Sequence, residues 1–172
     1  MRPIELTDHA QPQLCDLPIS VLVERRPAQQ QRWIDHVWDV VGVVAMQAGD
    51  DEEGLVFQAE EGVQRFLQGG LSLNLYPDEC ESYYHNLMSP RPSCYVVAHL
   101  DDEVERRPRP FLVTMSFDAA HAYLEGDDEI YAVEIPPEIY RWTEDYVLSY
   151  YAPEKRRKRK LLKGTAGARE EG

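Results

Sequence analysis

Three features of the sequence predict an α+β domain with a curled, mainly antiparallel sheet, two short helices and one long C-terminal helix. Several short runs alternate apolar and polar residues, the signature of half-buried strands. Those runs follow one another through short turns, which favours antiparallel pairing. Few stretches have helical spacing, and there is no regular strand–helix–strand series and no glycine-rich phosphate loop after a strand. The 172 residues suit one domain with tails, and 43% hydrophobic residues suffice for a core. The expected boundaries are an arm at 1–16, a domain at 17–152 and a basic tail at 153–172.

The first strand is read from Leu17 onward, where Ile19, Val21 and Val23 alternate with Ser20, Leu22 and Glu24, and it is expected to stop at Arg25-Arg26-Pro27. Residues 32–46 are rich in β-branched and aromatic side chains and predict a second, longer strand, bulged near Gly42. The stretch 47–62 reads as a solvated acidic loop with a short strand at Leu55-Val56-Phe57. Val63–Leu67 and Leu71–Tyr76 flank Gln68-Gly69-Gly70 and read as a glycine hairpin. Asp78 with Glu81 suggests a capping box for a helix over 79–87. Ser93–Leu100 and Phe111–Phe117 are further strands, separated by a charged, proline-rich loop. Asp118 is expected to cap a short helix at 119–125, followed by a strand at 129–135. Pro136-Pro137 opens the last helix, where Ile139, Trp142, Tyr146 and Tyr150 share an apolar face.

Charge is divided unevenly along the chain. The tail from Pro153 holds eight basic and three acidic residues, a net of +5; residues 1–152 hold ten arginines, no lysine and 28 acidic residues, a net of −18. Such a body repels polyanions, so nucleic acid is disfavoured as a partner despite Lys155–Lys160. Tail binding to nucleic acid is the weakest of the functional readings. The first thirty residues lack signal-peptide architecture, and no apolar run nears the roughly 20 residues of a membrane span. Three dispersed cysteines form no disulfide framework, so a reducing cytoplasm is the expected setting.

The densest candidate site joins Arg25, Arg26, Arg32, Trp33, Asp35, His36 and Trp38. Arginine forks bind carboxylate or phosphate, and tryptophan offers flat apolar area, so this cluster reads as a partner-binding surface. A purely structural alternative places Trp38 in the core and Trp33 over a sheet face, with Arg25 or Arg32 paired to Asp35. Secondary candidates are His85, Asn86, Cys94 and His99. Cys94 with His85 or His99 as base would make a nucleophile and its activator. The structural alternative is a buried, inert Cys94, a histidine in the last turn of a helix and Asn86 as its cap. No metal-ligand spacing occurs, and no motif implies a cofactor.

Four stretches, PISVLVERRP (18–27), RWIDHVWDVVGV (32–43), YYHNLMSPRPSCYVV (83–97) and AAHAYLEGDDEIYAVEIPP (119–137), together resemble the bacterial DUF3305 family over about residues 17–151. No catalytic residue is established for that family. The resemblance implies a genetic setting near formate dehydrogenases and other molybdenum enzymes. It therefore implies a non-enzymatic accessory or maturation factor that binds such an enzyme or its maturation machinery. The alternative is an enzyme or carrier acting on a molybdenum cofactor intermediate.

Overall fold

The computed structural model describes residues 15–30, 32–46, 54–58 and 61–151. The arm up to residue 14, most of the acidic loop and the basic tail lie outside the described residues. The elements are β1 (Cys15–Pro27), β2 (His36–Val44), β3 (Gly54–Gln58), β4 (Gln64–Leu75), α1 (Cys80–Leu87), β5 (Ser93–Asp101), β6 (Arg107–Thr114), α2 (Phe117–His121), β7 (Glu129–Glu134) and α3 (Pro137–Tyr150). The fold is α+β, as the sequence predicts.

Six strands run in the order β2-β1-β4-β6-β5-β7, and β3 adds to β4. All pairings are antiparallel except β4 with β6, which is parallel and registered only at Leu73–Val113. The sheet is thus two antiparallel halves meeting at one short bridge. It curls until its end strands, β2 and β7, approach each other, leaving it nearly closed. Ile19, Val21, Leu73, Val96 and Val113 fill the interior, and α1 and α3 pack on it through Cys80, Tyr83, Leu87, Ile139, Tyr146 and Val147. Burying side chains of this size is worth roughly 1.5–3 kcal/mol each.

The predicted glycine hairpin is not a reversal. Residues 64–75 form one continuous strand that pairs with β1 along its length, Arg25 opposite Gln64 and Cys15 opposite Leu75. Gly69 and Gly70 together oppose Ser20, so the pair is a bulge, and Gly70 sits at φ +79°, where a side chain is disfavoured. The bulge expected near Gly42 is present: Leu22 faces Gly42 and Val23 faces Val40, leaving Val41 extra. A third bulge puts Phe111 between the Val97–Leu112 and Ala98–Pro110 pairs and turns its ring outward onto Tyr123.

Other boundaries shift for local reasons. β1 continues through Arg25, Arg26 and Pro27 because β2 pairs with all three. The proline-rich loop is mostly strand: β6 begins at Arg107, and Pro108 and Pro110 lie opposite Leu100 and Ala98. Pro110 presents its carbonyl to the Gln68 side chain at 3.1 Å, so its nitrogen also faces β4 and is not needed for the β5 ladder. No side chain caps α1; a 3-10 turn at Pro77–Glu79 leads into it, and Glu79 accepts from the Tyr83 hydroxyl at 2.9 Å. Ser116, not Asp118, caps α2, accepting from the Ala119 N–H at 3.1 Å. The buried stripe of α3 is Ile139, Thr143, Tyr146 and Val147, with Trp142 partly covered and Tyr150 exposed.

Asn86 is buried and works as a splint, not as a helix cap. Its amide donates to the Ser93 carbonyl at 2.8 Å and the Met115 carbonyl at 2.9 Å, and its oxygen accepts from the Ser93 N–H at 3.0 Å. One side chain thereby ties α1 to the start of β5 and the end of β6. Asn86→Ala leaves these backbone groups without their partner and is expected to cost about 2–4 kcal/mol in urea unfolding, at the rate of roughly 1–3 kcal/mol per buried group left unsatisfied. Asn86→Asp, which cannot donate, is expected to recover little of that loss.

Candidate functional site

The β1–β2 end of the sheet gathers most of the residues singled out in the sequence. Pairing sets Arg25 opposite Trp38 on β2 and Gln64 on β4. Its guanidinium reaches the His36 Nδ1 at 2.9 Å, the Gln64 Oε1 at 3.5 Å and the Glu105 carboxylate at 3.5 Å. Because a guanidinium only donates, His36 accepts through Nδ1 in this contact. Glu105 also lies 3.5 Å from His36. It is carried there by the β5–β6 turn, in which Glu105 and Arg106 are both left-handed, at φ 51° and 61°. Two consecutive left-handed non-glycine residues cost roughly 1–2 kcal/mol each, which the contact of Glu105 with Arg25 helps to offset.

Arg107 extends the cluster from the other half-sheet. Its guanidinium lies over the Trp38 ring at 4.8 Å and the Phe66 ring at 4.9 Å, while the two rings are 5.7 Å apart. Arg25 approaches the same tryptophan at 5.8 Å. Burial, then the neighbouring Arg109 and Arg25 charges, lower the Arg107 pKa to about 10. Arg109 is held by Asp101 at 3.2 Å. On the opposite face Glu24, only 7% exposed, accepts from the Arg65 Nε at 2.9 Å and lies 3.8 Å from Arg26.

The tip beyond this cluster differs in kind. A hydrogen bond from the Ala28 N–H to the Asp35 carbonyl, 3.1 Å, closes the turn between β1 and β2. Trp33 stands on that turn 94% exposed, flanked by exposed Ile34 and Val37, with Arg32 and Asp35 also at the surface. The sheet-face position considered for Trp33 is therefore excluded. Arg25 pairs with His36 and Glu105 in place of Asp35. Trp38 is half-buried at the edge of the core.

The secondary candidates are not assembled. Cys94 is fully buried on β5, its Sγ 4.0 Å from the Thr114 carbonyl, and burial pushes its thiol up to about 12. His99 projects to the surface beside Asp128 at 3.1 Å, and His85 is exposed beside Glu81 at 3.7 Å. Among the described residues no three His, Cys, Asp or Glu side chains converge as a metal-binding group. Sequence reading missed Phe66, Glu105 and Arg107. Phe66 was hidden by the supposed hairpin, and the other two by a run that looked like solvated loop.

The family model for proteins of unknown function DUF3305 matches residues 18–160. The chain belongs to the DUF3305 family. No curated protein and no solved structure matches it. The DUF3305 match takes in every strand and helix described above, apart from the first three residues of β1, and runs on into the basic stretch after α3. Among the described residues no helix is long and apolar enough to cross a membrane.

Two measurements test the energetics of this end. A double-mutant cycle on Arg107→Gln and Trp38→Leu is expected to give a coupling of about 1–2 kcal/mol, the range for a partly desolvated cation–π pair. Stability is also expected to fall as pH rises above about 9. Burial raises the acid groups Cys80, Tyr83, Cys94, Tyr95 and Tyr131, the last to about 12. The unfolded chain thus releases protons that the folded chain retains, and their stabilising contribution, complete below the unfolded values, is lost through the folded ones. Arg107 runs the other way, one group against five. Melting temperatures that hold steady from pH 8.5 to 11 would contradict this balance.

Proposed function

We propose that this chain is a non-enzymatic accessory or maturation factor whose β1–β2 tip docks on a protein partner. The observation that carries the reading is Trp33, almost wholly exposed beside exposed Ile34 and Val37. A large aromatic side chain held in water on a closed turn gains nothing for the fold, whereas tryptophan and arginine are the residues most enriched at the energetic centres of interfaces. Arg32, exposed on the same turn, and Arg26, exposed at the adjoining end of β1, supply directional polar contacts around it. The cluster of Arg25, His36, Trp38, Glu105 and Arg107 packs behind the tip, and a turn anchored in this way loses less entropy on docking than a free loop.

The proposed partner class is a molybdenum enzyme such as formate dehydrogenase, or its maturation machinery, in keeping with the setting that the family resemblance implies. Chemistry on a molybdenum cofactor intermediate has less support: Cys94 lies in the core, while His85 and His99 lie at the surface. The nucleic-acid reading rests on the tail alone, against a body of −18.

Trp33→Ala is expected to leave unfolding stability within about 0.5 kcal/mol, as for other exposed substitutions, while reducing recovery of the partner at least tenfold. The check is mild affinity purification of the tagged full chain from its native cell, beside the variant. Absence of molybdenum-enzyme components from the wild-type sample would reject the partner class. Equal recovery by Trp33→Ala would reject the tip.

A further inference from the structure

A hollow of about 260 Å³ adjoins the tip, and a second of about 450 Å³ adjoins the first, with Leu100, Arg106 and Glu129 as common walls. Together they form one trough from the seam between β2 and β7 to the turn that precedes β7. Its two ends differ in chemistry. The seam end is mixed: Ile34, Val37, Trp38 and Tyr131 supply apolar and aromatic area, with His36 and Glu105 beside them. The far end carries Asp102, Asp127 and Asp128, with Glu129 between; the cationic side chain there is Arg106, and His99 is bonded to Asp128.

The seam is bounded by strand edges as well as side chains. Among the described residues β2 pairs only with β1, and β7 only with β5. Neither strand contains a proline or a lysine, the residues that commonly blunt an exposed edge. An extended segment lying there has main-chain hydrogen-bonding groups within reach, and alternate side chains supply the selectivity.

We propose that this trough receives an extended segment of the partner that bears an apolar side chain at the seam and basic side chains, a few residues on, at Asp102 and Asp127. The basic character follows from charge complementarity with the carboxylate-lined end of a body of net −18, which opposes an acidic segment throughout. Continuity supports the same occupant, since Ile34 and Val37 belong to both the tip and the trough. The inference rests on the reading of the chain as a protein-binding module and specifies the partner's chemistry.

The test uses the full chain and a fluorescent peptide, Leu-Leu-Ser-Gly-Lys-Arg-Lys, in an anisotropy titration. Saturable binding is expected, weakening with added salt. It should weaken at least fivefold in the Asp102→Asn/Asp127→Asn chain, and at least fivefold again when the probe's two leucines become serines. Trp33→Ala should leave the probe's Kd within twofold. Equal affinity for the serine probe would mean generic attraction to an acidic body and would overturn the proposal. So would indifference to Asp102→Asn/Asp127→Asn. A fivefold gain in affinity on Lys155→Gln/Lys158→Gln/Lys160→Gln would also overturn it, by giving the trough to the chain's own basic run. If the probe fails while Trp33→Ala abolishes partner recovery, the trough falls and the tip stands. If the probe binds as described while Trp33→Ala retains the partner, the tip falls and the trough stands.

Discussion

The curled sheet depends on how two antiparallel half-sheets are held at a junction with almost no ladder. Strands β3, β4, β1 and β2 form one half, and β6, β5 and β7 the other. Between β4 and β6 the registered backbone contact is Leu73 with Val113. The usual source of sheet cohesion, a run of N–H···O=C bonds, is therefore scarce where the halves meet. Side chains do that work. Gln68 reaches the Pro110 carbonyl, Arg107 from β6 lies on rings from β2 and β4, and Glu105 meets Arg25 and His36. Within the second half, Asn86 ties α1 to β5 and the end of β6. These contacts are partly desolvated, so each is worth more than it would be on an open surface.

The junction also explains why the candidate surface lies where it does. Arg25 and Trp38, which the sequence marks as binding residues, are largely committed to joining the halves. What remains for a partner is the turn that the junction supports, with Trp33 at its end, and the trough beside it. Packing and recognition are divided by position along one pair of strands: residues near 25 and 38, with His36, serve the fold, and residues 32–35 and 37 face outward.

The fold class was legible because β-branched alternation, proline at the start of the last helix and the absence of phosphate loops are local signals. The bulges were the main source of error. A one-residue excess exchanges the two faces of a strand, so the side chains toward the core on β4 are Phe66 and Gln68 before the glycines and Leu71, Leu73 and Leu75 after them. Read as strict alternation, that change resembles two strands and a turn. Phe111 broke the pattern of β6 in the same way. The site was legible in part. Arg25, His36 and Trp38 meet because consecutive strands pair, which sequence order suggests. Arg107 and Glu105 arrive from about eighty residues away, through a sheet order that no local pattern encodes. The exposure of Trp33 was equally hidden, since composition draws tryptophan toward the interior.

The glycine bulge on β4 also governs which changes of length the chain can absorb. Along a strand that borders a closed core, position is counted in pairs, and the bulge is the place where the count slips by one. Losing either Gly69 or Gly70 would leave one residue opposite Ser20 and keep Phe66 and Leu73 on the same face, whereas losing any residue between Leu71 and Leu73 or between Phe66 and Gln68 would turn one flank of the strand over relative to the other. Length variation among relatives with this architecture should therefore collect in the turns and at the bulge itself. Elsewhere within β4 a single-residue deletion acts like a frameshift in space, read out in faces instead of codons.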